Sequence, residues 1–430
     1  MLLSLVLLGL SLLSLAIPGD LEHVERLIER LPVLSDHGIT ARQLHGYLSG
    51  PGPFPQNPSW EPPYPTTFDG YCAPNASQTV GTFAGPTWPS VTDLLKRNEF
   101  VTRQGTQLEL LGEPFRMVGP CVYWMGLDEN VIPDPSYPSK TRARVLEIMG
   151  IVSAMRGTTI RAHTLGISFG NALSVEPTPG VYNQTAYEAI DFAILAARIY
   201  GIKLMIPLVD NYNWYHGGKY QFIGWNGIEW SGTGAAITPP DVGAYFYNTT
   251  AIVDMFEAYI TEHLNHVNQF TGIAYKDDPT IMAWETGNEL SAVIYNDGPA
   301  PPEWTAEICG LIKSLAPNHL CVDGTYGFYP ETGQLNVTEV DIFSDHFYPR
   351  DIARMQAGYA LTQAADRVYL AGEWDWCGAF SSFRLCIWLT VARRTGQYGG
   401  DTIQDWLYSL FWSLFGHDDK CCLYVEHNGK

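Results

Sequence analysis

Positive charge is scarce in this 430-residue chain: 25 Lys and Arg stand against 45 Asp and Glu, a formal net charge of -20. Nucleic acids and anionic membrane surfaces both demand clustered cations, so this balance argues against either as a partner. The eight Cys (Cys72, Cys121, Cys309, Cys321, Cys377, Cys386, Cys421, Cys422) contain no CxxC pair and no Cys/His zinc spacing. That leaves no ligand pattern for a structural metal, and neither a metal nor an organic cofactor is expected. No internal repeat is apparent, which sets solenoid architectures aside. After residue 17 no second apolar segment of spanning length follows, so stable membrane insertion is not expected either.

What is present is a globular composition, 46% hydrophobic and 16% charged, with ample length for a core. Met1–Ile17 reads MLLSLVLLGLSLLSLAI, an apolar run of about 16 residues, short of the roughly 20 that cross a bilayer. It reads as a secretory signal peptide cleaved between Ala16 and Gly19, although its start carries no Lys or Arg. A short membrane anchor is the alternative. Four Asn-x-Ser/Thr sequons at Asn75, Asn183, Asn248 and Asn336 fit a secreted, extracellular glycoprotein. In an oxidising compartment some Cys should pair; the connectivity stays open, with Cys309 and Cys321 the most local candidates.

Residues 18–92 differ from the rest. Leu21–Leu31 has helical apolar spacing, and then Pro and Gly crowd Gly50–Pro89, where PGPFPQNP and EPPYP can hold neither a helix nor a central strand. The segment reads as an N-terminal extension or linker between a signal peptide (1–17) and a catalytic domain (93–430).

From Phe100 the pattern becomes strand-like runs alternating with helical ones. FVTRQGTQLELLGEPFRMVG alternates and turns at Gly105 and Gly112, as a hairpin covering a barrel floor would. Eight apolar runs follow: Arg116–Tyr123, Thr158–His163, Lys203–Asp210, Thr280–Glu289, Leu320–Gly324, Val340–Tyr348, Val368–Trp374 and Leu407–Phe415. Amphipathic stretches between them include Thr141–Met155, Thr185–Tyr200, Ile252–Val267 and Pro302–Ser314. Eight strand–helix units predict an α/β fold, a (β/α)8 TIM barrel. Only 18 residues follow Trp412, without helical period. The expectation is therefore a barrel lacking a complete final helix, its tail truncated or mis-spliced or its last seam covered by the N-terminal segment.

Active sites of such barrels lie at the C-terminal ends of the strands. The fourth run ends in Asn288-Glu289 and the seventh in Gly372-Glu373-Trp374. Two carboxylates at one rim are what retaining glycoside hydrolysis uses, one protonated and one ionised, about 5–5.5 Å apart. Aromatic residues make up 13% of the chain, with 13 Trp and 24 Tyr. They serve as core or as flat faces for sugar rings.

The strings YKDDPTIMAWETGNE (Tyr275–Glu289), SDHFYP (Ser344–Pro349), GEWDW (Gly372–Trp376) and FWSLFGHDD (Phe411–Asp419) stand in order along the chain. On them, residues from Glu99 to His427 resemble glycoside hydrolase family 5, in its fungal and plant endo-β-1,4-mannanase-like branch. The resemblance implies Glu289 as acid/base and Glu373 as nucleophile. It implies Arg161 as the arginine that keeps the nucleophile ionised, and Asn288 as the residue that binds the sugar 2-hydroxyl. It also implies His346 and Tyr348 beside the carboxylates, and Trp412 as a platform under the sugar being cleaved. Val209–Gly227 resembles the mannanase-type loop beside the cleft, making Asn211, Trp214 and Trp225 substrate-binding candidates. Bland alternatives stand beside these: a structural ion pair for Arg161, a core histidine for His346, plain packing for Trp412, and a self-packed surface loop for Val209–Gly227. DDPT and HVNQFTG read as structural turns.

The chain departs from the family at Pro120-Cys121, where Asn is common, and at Leu290, where Pro often follows. These departures bear on the substrate. The expected activity is retaining hydrolysis of β-1,4-mannan or a related polysaccharide by a monomer. An exo-β-mannosidase, a β-glucanase and a non-catalytic sugar-binding barrel are the alternatives.

Overall fold

The computed structural model describes residues 99–127, 145, 148–153, 155–213, 217–232, 237–291, 299–348, 351–374, 408–412 and 414, with a backbone pair at Thr67–Phe68 and Gln78–Thr79. The signal peptide, nearly all of the 18–92 extension and the tail beyond 414 lie outside the described residues, as does most of the first expected helix.

Each of the eight apolar runs contains a strand: β1 Val118–Pro120, β2 Thr159–Arg161, β3 Lys203–Pro207, β4 Ile281–Glu285, β5 Leu320–Asp323, β6 Ile342–Phe347, β7 Val368–Trp374 and β8 Tyr408–Phe411. Sequence neighbours pair in parallel from β2 to β8, and β8 returns to β1. Between β1 and β2 the seam closes through a parallel bridge at Cys121 and Arg161. Two backbone bonds complete it, Thr158 N to Val118 O at 2.8 Å and Val122 N to Arg161 O at 2.9 Å. The result is the (β/α)8 barrel expected from the alternation of runs.

Strand parity sorts the apolar side chains into two layers. Met205, Ala283, Val322, Ile342, Val368, Leu370 and Leu410 fill the barrel interior, and the register skips Met282, which joins the same cluster. Ile160, Leu204, Ile206, Trp284 and Phe343 point outward into a second cluster shared with the helices. The interior is closed below by an antiparallel three-stranded hairpin, Thr102–Gln104, Gln107–Leu110 and Glu113–Pro114. Leu108 and Val101 plug it, Leu108 N bonds the Tyr408 hydroxyl at 2.9 Å, and Arg103 pairs with Asp341 at 3.2 Å.

The helices α1 Tyr187–Tyr200, α2 Thr250–Asn265, α3 Pro302–Leu315 and α4 Ile352–Ala364 follow the expected start and stop chemistry. α1 ends at Gly201 with φ 70°, where glycine carries no Cβ penalty. Pro302 opens α3, where its missing N–H costs nothing. Asp351 caps α4 by accepting from Arg354 N at 3.0 Å. A disulfide, Cys309–Cys321, ties α3 to β5.

The HVNQFTG stretch is structural: the Asp191 carboxylate on α1 accepts from His266 Nε2 at 3.0 Å, Gln269 N at 3.0 Å and Tyr275 Oη at 2.6 Å. Asp278 of DDPT likewise accepts from Arg198 at 3.0 Å and Thr280 N at 2.8 Å. No described helix is long and apolar enough to cross a membrane.

Candidate active site

Glu373 should not reach the barrel mouth on simple alternation. Val368 and Leu370 face the interior, so Gly372 would share their face, and Glu373 would point outward with Tyr369 and Ala371. The register prevents this: Asp345 opposes Ala371 but His346 opposes Glu373, leaving Gly372 as an extra residue. Such a bulge re-aims the side chains beyond it, and here it turns Glu373 inward. Glycine is required there, because a Cβ at 372 would lie 2.1 Å from Ser344 Oγ and 3.1 Å from His346 Nε2.

Glu289 reaches the same mouth by a different device. It lies beyond β4 with φ 52°, a left-handed conformation that is costly for a residue with a Cβ. Its neighbours hold it there, Asn288 N bonding Val209 O at 2.7 Å and Leu290 N bonding Gly324 O at 2.8 Å.

Glu289, His346 and Glu373 each offer an atom within 4.8 Å of the others. A carboxyl pair that close belongs to the range of about 5–5.5 Å for retaining chemistry, not the ~6.5–9.5 Å gap that admits an inverting water. Both are buried yet open to solvent, with side chains 10% and 6% exposed.

Their surroundings differ. Glu373 Oε1 accepts from Arg161 Nη1 at 2.5 Å and lies 3.6 Å from His163 Nε2; its Oε2 accepts from the Tyr348 hydroxyl at 3.0 Å. Burial pushes its carboxyl up, and the Arg161 guanidinium opposes that push. Arg161 remains charged, its pKa raised by Glu285 and Glu373 against the pull of its own burial. Among the described residues Glu289 meets no cation in its hydrogen bonds: Oε2 accepts from the Tyr212 hydroxyl and Oε1 contacts His346 Nδ1, both at 2.7 Å. Burial raises Glu289 to about 7, the Tyr212 bond lowering it and Asp210 raising it. Burial also drops His346 to about 4, so this imidazole is neutral over most of the useful pH range.

Of the residues singled out in the sequence, the structure brings Glu289, Glu373, Arg161, Asn288, His346 and Tyr348 into one network. Asn288 Oδ1 accepts from Arg161 Nη2 at 2.9 Å and its Nδ2 donates to Asp210 at 3.0 Å, so among the described residues one of its two amide protons remains for a ligand. Trp412 stacks on Tyr123 at 5.4 Å and stands edge-on to His163 at 5.3 Å, and His163 in turn lies 3.6 Å from Glu373 Oε1. Asn211 is buried and donates to Ser291 Oγ at 3.3 Å, bracing the chain after Glu289. Val209–Gly227 contains a helix, Lys219–Trp225, and Trp225 packs edge-on against Phe222 and Phe169, the contacts of a core residue. Trp214 lies outside the described residues.

Residues not singled out complete the site. Glu285 on β4 accepts from Arg161 Nε at 2.7 Å, so one guanidinium serves two buried carboxyls. Its signal was present, a carboxylate inside the apolar run TIMAWE. His163 and Asp210 close the second and third apolar runs and so carried the same positional signal; Tyr212, two residues beyond its run, carried none, because it meets Glu289 only in space.

A closed parallel barrel with paired carboxylates at its C-terminal mouth defines a protein of glycoside hydrolase architecture. Residues 98–354, more than half of the chain, match the family described as "GH family 5 beta-mannosidase-like", and the chain belongs to that family. It is 31% identical over 280 residues to mannan endo-1,4-beta-mannosidase 7 of Arabidopsis thaliana, covering 61% of each chain. To putative mannan endo-1,4-beta-mannosidase 4 of the same plant it is 34% identical over 274 residues, covering 61% of this chain and 63% of that one. The chain thus spans about three fifths of the length of these relatives. Among solved structures, a family 5 mannosidase from Rhizomucor miehei shares the fold with a TM-score of 0.60 at 18% identity, covering 78% of this chain and 92% of that one. An endo-1,4-beta-mannanase from the same organism shares it with a TM-score of 0.55 at 24% identity, covering 73% and 90%.

Proposed function

We propose that this chain is a retaining glycoside hydrolase acting on β-1,4-mannan or a closely related β-linked polysaccharide. The observation that carries the reading is the asymmetry of the carboxyl pair within 4.8 Å: Glu373 is held by Arg161 and Tyr348, while Glu289 is pushed up to about 7 by burial. Glu289 gives its proton to the glycosidic oxygen as Glu373 attacks the anomeric carbon, forming a glycosyl ester and releasing the leaving sugar as an alcohol. Glu289, now ionised, takes a proton from water, whose oxygen displaces Glu373 and restores both groups. Asn288 offers its remaining amide proton to the 2-hydroxyl, and Trp412, packed against His163, supplies an apolar face.

Mannan is favoured as substrate because the relatives above are named mannan endo-1,4-beta-mannosidases. A secreted glycoprotein is the accompanying proposal, supported by the apolar N-terminus, the Cys309–Cys321 bond and exposed sequon residues at Asn248 and Asn336.

The test is incubation of the purified chain with mannan, cellulose and aryl β-glycosides beside Glu373→Gln, with NMR of the first-formed anomer. Turnover of mannan with β-configured product, abolished in the variant, is expected. A well-folded protein that turns over none of them would overturn the reading in favour of a sugar-binding barrel.

A further inference from the structure

The mouth of the barrel contains a phenol that the two-carboxylate scheme does not use. Tyr212 sits two residues past Asp210, in the turn that follows β3, and its hydroxyl donates to Glu289 Oε2 at 2.7 Å. The turn that carries it is pinned on several sides. Tyr212 N bonds Asp210 Oδ1 at 3.1 Å, Asn211 N bonds Asn288 O at 3.0 Å, and Lys219 N bonds Asp210 O at 2.9 Å. Gly218 lets the chain pass so closely that a Cβ there would lie 2.0 Å from Tyr212 O. The phenol is therefore aimed by the scaffold.

We infer that Tyr212 is a positioning residue for Glu289, its hydroxyl fixing one carboxyl oxygen and stabilising the ionised form that exists between the two half-reactions. This role presupposes the proposed hydrolytic cycle and follows from the direction of the bond. A phenol O–H donating to a carboxylate makes a charge-assisted bond, roughly twice as strong as one to a neutral acid. Burial and Asp210 favour the acid form, so without an opposing donor Glu289 would hold its proton too firmly to give it up. His346, on the other oxygen, is a neutral imidazole.

The remaining field at Glu289 comes from groups the substitution leaves in place. Arg161 on β2 and Arg354 on α4 are the cations, and both lower Glu289. Asp210, after β3, raises it, and Glu285 on β4 and Glu373 on β7 are the other carboxyls whose charges bear on it. Tyr326, after β5, and Tyr348, after β6, are phenols that feel the Glu289 charge, and Asp345 on β6 feels it as well.

Tyr212→Phe deletes one oxygen and keeps the ring. Losing a bond to a charged group should move the alkaline limb of kcat/KM upward by about one pH unit. It should slow hydrolysis of mannan about tenfold, since its alkoxide leaving group needs the proton. A dinitrophenyl mannoside, whose leaving group needs none, should lose much less. Independently of turnover, carbon-13 NMR of glutamate carboxyls, assigned with Glu289→Gln, should show Glu289 titrating about one unit higher in the variant. If the wild-type chain hydrolyses nothing but this titration still moves, the positioning role stands and the hydrolase reading falls. An unmoved Glu289 titration, or equal losses on both leaving groups, would overturn the inference.

Discussion

Glu289→Gln removes a charge that the fold makes expensive to carry. Folding takes this carboxyl from an ordinary value of 4.5 to about 7, with burial the main cause. The folded chain therefore binds the proton more tightly than the unfolded chain. The linked stability is fully present below pH 4.5 and is lost as pH rises through 7. At about 1.4 kcal/mol per pH unit, that window amounts to about 3 kcal/mol. Glutamine keeps an acceptor for the Tyr212 hydroxyl and never ionises.

The variant and the parent should then unfold with similar free energies near pH 4, and the variant should gain about 3 kcal/mol over the parent by pH 8. Urea unfolding at half-unit steps from pH 4 to 8 measures the difference. Glu176 and Asp345, raised to about 7 and about 6 by burial, bend both curves downward in the same window, so only the difference isolates Glu289. A difference that stays flat with pH, or a variant weaker than the parent at pH 8, would refute the claim that burial holds the Glu289 proton. On the proposed cycle activity should move the other way, with mannan hydrolysis falling by about 10²–10⁴ on loss of the proposed general acid. That is the usual exchange of stability for function at an active site.

Arg161→Lys keeps the charge but loses the fork that reaches Glu285, Glu373 and Asn288 together. The acid limb of kcat/KM should rise by about 1–2 units as Glu373 loses the direct guanidinium bond, and an unmoved limb in a folded variant would remove Arg161 from the role. His319 is buried, accepts from Trp284 Nε1 at 2.8 Å, and drops from 6.5 to about 3. Its stability is full above pH 6.5 and is lost as pH falls toward 3, about 2 kcal/mol by pH 5, so His319→Gln should lose that much less between pH 7 and 5 in calorimetry.

The barrel was legible because each strand is a short apolar run followed by a helix of regular period, and burial of both faces leaves few other sheets for such runs. α4 was less visible: Ile352–Ala364 mixes Arg, Gln, Gly and Ala with few large apolar residues, so its helical face is faint. The catalytic strings were legible as strings, and Glu289 and Glu373 could be named from them. Their inward aim was not. Strand parity points Glu373 the wrong way, and only the bulge at Gly372 corrects it. Tyr212 was hidden for a related reason, since its partner is 77 residues away and reached only across the ends of β3 and β4.

The same geometry decides which carboxyl carries the proton. Asp210, Glu285, Glu289, Asp323, Asp345 and Glu373 are all buried around one end of the barrel. The guanidinium of Arg161 goes to Glu285 and Glu373, and that of Arg354 goes to Asp345. Buried acids in excess of nearby cations cannot all ionise, and the proton stays where cationic contact is weakest. Among the described residues Glu289 hydrogen-bonds a phenol on one oxygen and a neutral imidazole on the other, with no guanidinium on either, and so becomes the acid. Glu373 takes one from Arg161, and so becomes the anion. The division of labour between two identical side chains is set by where a single arginine on β2 can reach.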